Sequence, residues 1–121
     1  MRYIMLIYSQ EDDAALAAEL QAVGAQHRAL MAEASRMGIF RAADPLASSA
    51  TATTVRVDNG KVMITDGPFA ETKEQLAGYY ILDCQDLDEA LAWAARIPTA
   101  CQGATGCIEV RPLREMSKPI E

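Results

Sequence analysis

The chain has 121 residues, half of them hydrophobic and under a quarter charged, with a net charge of −6. That is the length and composition of one soluble globular domain, and its acidity argues against binding a nucleic-acid backbone or an anionic membrane surface, both of which need clustered Lys and Arg. Three cysteines, Cys84, Cys101 and Cys107, without a CxxC pair or a secretory leader, point to unpaired thiols in a reducing cytoplasm. One histidine and three scattered cysteines lack the ligand spacing of a zinc site, so neither a metal nor another cofactor is implied.

In chain order, "RYIMLIYS" reads as a buried strand, apolar on both faces and too short to span a bilayer. "QEDDAALAAELQAVGAQHRALMAEASRMG" reads as one long helix. Acids favour its start through the helix dipole, and Gly38 follows its end. "IFRAADPLA" suggests a short extended segment broken by Pro45. "VRVDNGKVMI" is the clearest local signal: Asn59-Gly60 between β-branched runs specifies a hairpin with a two-residue turn. That register sets Asp58 opposite Lys61, Val57 opposite Val62, Val55 opposite Ile64 and Thr53 opposite Asp66. "GYYILDC" is a further strand. "DLDEALAWAARIP" is a helix with Asp86 as N-cap, Glu89 three residues on and Pro98 after the end. Trp93 falls on its apolar stripe. "CIEVRPL" is the last strand, and residues 115–121 form a polar tail after a single domain of residues 1–114.

This order suggests an α+β fold: a ferredoxin-like sheet with two helices on one face. The other face would carry apolar side chains, a liability unless covered. A second copy stacking its own sheet there is the simplest cover, so a homodimer is expected.

The helix carries apolar residues at Leu16, Leu20, Val23, Leu30, Ala34 and Met37, and His27 fills the gap in that stripe. The only histidine therefore faces the sheet. Val62, Ile64 and Asp66 share one face of their strand, with Thr53, Val55 and Val57 on the same face of its partner. If that face meets the helix, Asp66 and Thr53 lie at its edge beside His27. A His27–Asp66 pair would fix the imidazole tautomer and raise its basicity, as a general base requires. The plainer alternatives are a structural histidine and an Asp that serves the Gly-Pro turn. Ser9 and Thr65 are available hydroxyls without an activating neighbour. Arg56 and Arg111 alternate away from the core and would suit an anionic ligand in a cavity between stacked sheets. Glu71, Lys73 and Glu74 read as a solvated loop. Tyr79 and Tyr80 point to opposite faces, one to the core and one to the interface.

"TDGPFAETKEQLAGYYILDC", followed by "DLDEALAWAARIP" and "IEVRPL", resembles the DGPF branch of the YCII-related proteins. "MRYIMLIY", the helix with His27 and "TATTVRVDNGKVMITDGPF" fit the same pattern, so the likeness covers about residues 1–114. The resemblance implies a dimeric α+β barrel with a cavity between two sheets. It also implies a His–Asp pair in a pocket, here His27 and Asp66, with no established substrate or reaction. Members of this branch occur beside extracytoplasmic-function sigma factors, which makes a regulatory module for such a factor the alternative to a small-molecule site. "TACQGATGC" is longer than the family's usual approach to the last strand.

Overall fold

The computed structural model describes residues 1–11, 13–98 and 106–116, with the side chains of the first helix described from Val23 onward. The elements are β1 (Arg2–Ser9), α1 (Asp13–Arg36), β2 (Phe40–Pro45), β3 (Thr53–Asp58), β4 (Lys61–Asp66), β5 (Gln75–Asp83), α2 (Leu87–Ala94) and β6 (Gly106–Pro112). β2, β5, β1 and β6 form one antiparallel sheet in that order. With α1 and α2 as its two crossovers, this is the ferredoxin-like α+β arrangement that the order of elements implies.

Period-two alternation decides which face is core. Tyr3, Met5, Ile7 and Ser9 of β1 are buried, while Arg2, Ile4, Leu6 and Tyr8 between them are half-exposed. Tyr3, Met5 and Ile7 pack with Tyr80 and Leu82 of β5, Leu30 and Ala34 of α1, and Ala90, Trp93 and Ala94 of α2. Both helices therefore cover the same face. An ion pair between Arg96 and Glu33 ties the end of α2 to α1, and the same guanidinium lies 4.8 Å over the Trp93 ring.

Several local signals are realised as the residues dictate. Asp86 caps α2, accepting from the Glu89 N–H at 2.9 Å. α1 stops in a Schellman motif, with Ile39 N–H bonded to Ala34 O at 3.1 Å and Gly38 N–H to Ser35 O at 3.0 Å. Met37 therefore lies beyond the helix and is exposed, not part of the apolar stripe. Leu16 and Leu20 lie outside the described side chains. Asn59 and Gly60 both have positive φ, 50° and 77°, as a type I′ turn needs. The ladder they close has Asp58 opposite Lys61 and Thr53 opposite Asp66, the register read from the turn.

Two expectations are corrected. The β3–β4 hairpin is not a member of the main sheet but a separate two-stranded sheet. Its place is taken by the segment ending at Pro45, which pairs with β5 as an edge strand, the position where a proline costs no ladder bond. Nor does the hairpin's apolar face pack on α1. Val55, Val57, Val62 and Ile64 are 59–69% exposed. Cys84 and Cys107 are free thiols, the first buried and the second exposed; Cys101 and most of its connector lie outside the described residues.

Candidate functional site

Between α1 and the Ser9 end of the sheet lies a cavity of about 420 Å³. Ile7, Met31, Ala43, Pro45, Ala77 and Pro98 give it apolar walls; its polar side chains include Ser9, His27, Arg28 and Tyr80.

Two glycines shape it. Gly78 sits on the helix-facing side of β5 where the backbone of β2 comes close: a Cβ there would lie 2.9 Å from Asp44 O and 3.3 Å from Pro45 Cα. Gly24 lies inside α1, where glycine costs helix stability relative to alanine. Among the described residues, a Cβ at that position would meet only the end of Arg28, at 3.4 Å from Nη1. The guanidinium is thus folded back one turn along the helix, over the space the glycine leaves. Gly24→Ala is expected to stabilise the protein by about 0.5–1 kcal/mol, read from urea denaturation, while narrowing the cavity. A loss of stability would show that Arg28 cannot move aside.

His27 is half-buried on the sheet-facing seam, and its Nδ1 lies 2.6 Å from the Tyr80 hydroxyl. The rings are 5.7 Å apart and tilted by 41°. Burial lowers the His27 pKa below its ordinary value and pushes that of Tyr80 up to about 12. Near neutral pH both groups are therefore uncharged. In the tautomer whose Nδ1 accepts the tyrosine O–H, the neutral imidazole keeps its own proton on Nε2. Ser9 is only 3% exposed, and its hydroxyl has no hydrogen-bond partner among the described residues. Since no described side-chain polar atom is sealed away unsatisfied, that hydroxyl opens into the cavity.

The other residues singled out in the sequence stand elsewhere. Asp66 is exposed at the end of β4, opposite Thr53, and neither lines the cavity. Within the chain the partner of His27 is Tyr80, because the hairpin that carries Asp66 is not packed on α1. Arg56 is exposed on the hairpin opposite Met63. Arg111 lies on the helix-free face opposite Ile4, with its Nε 2.7 Å from Glu109. Tyr79 points to that same face, and its hydroxyl donates to Asp44 at 2.8 Å. Glu71 and Lys73 line a shallow polar pocket with Glu11, whose carboxylate accepts from the Ser49 N–H and hydroxyl.

The sequence places Tyr80 only as a core or interface residue, and Arg28 and the two glycines carry no such reading. A glycine inside a long helix, one turn before His27, was a readable sign of space beside it. The partnership with Tyr80 was not readable, since it joins residues 53 positions apart.

Fold and site together define a ferredoxin-like α+β domain with a helix-covered cavity and a part-buried His–Tyr pair at its wall. Residues 1–117 match the model of the YCII-related domain, and the chain belongs to that family. It is 41% identical over 114 residues to an uncharacterised protein of Rhizobium meliloti (strain 1021), an alignment covering 94% of this chain and 85% of the relative. Among the described residues no helix is long and apolar enough to cross a membrane.

Proposed function

We propose that this protein, a member of the DGPF branch, binds a small molecule in the cavity beneath α1, with His27 as its central polar contact. The observation that carries this reading is the His27–Tyr80 pair at the wall of a largely apolar space of about 420 Å³. Ligand sites combine apolar walls with a few placed polar groups in this way. Screening small apolar molecules against the tag-free protein, by NMR of its only imidazole, tests it. Hits should shift the His27 ring resonances and be lost in Met31→Trp, which fills the space. If no compound shifts His27, or if the filled variant binds equally well, the reading falls.

The working form in this proposal is a homodimer in a reducing cytoplasm. The helix-free face has an apolar centre, Ile4, Leu6, Tyr8 and Ile81, between groups of both signs, Asp44, Glu109 and Arg111. A patch that carries both signs suits pairing with itself. A sigma factor would compete for this same surface, and co-purification with such a factor would favour the regulatory alternative. Arg111 would then lie in the dimer interface, and any ligand role for Thr53, Arg56 or Asp66 would depend on the assembled pair.

The titration of His27 separates its partners. Burial lowers its pKa from 6.5, so in the wild type it should titrate below that value. The unfolded chain then binds the proton more readily than the folded one. The stability from the neutral ring is present above about pH 6.5 and is lost as pH falls toward the folded pKa. Asp66→Asn is expected to leave the curve unchanged. A further downward shift in that variant would establish Asp66 as a carboxylate partner reached through assembly.

A further inference from the structure

We propose that the cavity takes a small apolar monocarboxylate, its carboxylate held at the end formed by Ser9, His27 and Arg28. This rests on the reading of the cavity as a small-molecule site and names the chemical class.

Besides Tyr79 and Tyr80, whose hydroxyls meet Asp44 and His27, three described side chains at this cavity can offer hydrogen-bond donors to a ligand. Ser9 is almost wholly buried on the floor of the sheet, and its hydroxyl has no described partner. His27 has Nδ1 occupied by Tyr80, which leaves Nε2 for a ligand, as a donor in the tautomer that accepts the tyrosine O–H. Arg28 follows His27 on α1, and among the described residues its guanidinium has no hydrogen-bond or ion-pair partner. It is held over Gly24, itself a cavity-lining position. Two neutral donors and one cation match the acceptor capacity and single charge of a carboxylate. A phosphate dianion would ask for more positive charge, and the site has no Gly-rich loop to supply backbone donors.

The other charged residue at the cavity is Asp44, and its position does not oppose this assignment. It stands opposite Tyr79, and its carboxylate accepts the Tyr79 hydroxyl on the helix-free face. What it presents to the cavity side is backbone, at the Gly78 contact. The chain as a whole carries a net charge of −6, which disfavours anions at its surface. An arginine with no partner among the described residues, lining an apolar space, reverses that bias locally.

The test compares two isosteric pairs, benzoate with benzamide and hexanoate with hexanamide, by the shift of the His27 ring resonances in the tag-free protein. For at least one pair the acid should bind about fivefold more tightly than the amide, the worth of one exposed ion pair. Added salt should shrink that preference. Arg28→Gln should bring the ratio close to one, weakening the acid more than the amide. Ser9→Ala should weaken the acid more than the amide. Equal binding of acid and amide, or a preference that survives Arg28→Gln, overturns the carboxylate assignment and leaves the small-molecule site standing. If neither member of either pair moves His27 at millimolar concentration while other apolar compounds do, the assignment alone falls. If no compound does, both fall.

Discussion

Changing Leu6 to lysine is expected to split the proposed homodimer into monomers. Leu6 stands in the middle of the helix-free face, between Tyr79 on β5 and Glu109 on β6. In an isolated chain the new ammonium would sit beside the Glu109 carboxylate, an opposite-charge cross-strand pair, so the fold should tolerate it. Between two stacked sheets the same ammonium would lose its water, at a cost of several kcal/mol per ion. Light scattering at micromolar concentration should report about twice the 13.1 kDa chain mass for the wild type and a single chain for Leu6→Lys. Circular dichroism should be the same for both. A wild-type protein that is already monomeric would remove the dimeric barrel and leave the exposed apolar face without a cover.

Gly78→Ala is expected to weaken both the fold and the site. The added methyl would come within 2.9 Å of Asp44 O, and the atoms in the way belong to the backbone of β2. No side-chain rotation relieves such a contact, so β2 must move outward from β5. Overpacking of this kind costs about 1–3 kcal/mol. β2 also supplies Ala43 and Pro45 to the cavity wall, so the displacement should open the space around His27. Urea denaturation measures the loss of stability, and the His27 ring resonances report the altered surroundings. Unchanged stability would mean that the sheet edge is free to shift. Gly24→Ala makes an informative contrast, because among the described residues the methyl there meets only the end of a flexible side chain.

The two glycines illustrate what kind of information a sequence carries. Gly24 announces itself within its own helix, because glycine is out of place there. Gly78 reads only as a residue before a tyrosine pair. Its role exists because β2, more than thirty residues earlier in the chain, passes beside it. His27 lies between these cases. Its place on the seam follows from the spacing of its neighbours along α1, and the half-buried ring confirms that orientation. Its partner within the chain does not follow. Asp66 is in phase with the apolar residues of the hairpin as the period-two pattern requires, yet the whole hairpin stands apart from α1.

What the sequence determined by itself are the features decided by a few consecutive residues. Asn59-Gly60 specifies the turn and, through it, every pair in the β3–β4 ladder. Asp86 starts α2, Gly38 ends α1, and alternation along β1 assigns each side chain to a face. Hydrogen bonds and steric limits within one turn suffice for these. Only the tertiary structure decided that the segment ending at Pro45 takes the sheet edge while the stronger hairpin signal stays outside. It alone decided that Tyr80, and not Asp66, meets His27 within the chain, and that Ser9 and Arg28 open on the same space. The reason is physical: strand pairing and side-chain encounters across 35 to 53 residues depend on which apolar surfaces are buried together. Burial is additive over the whole chain and has no preferred partner written into any one stretch of it.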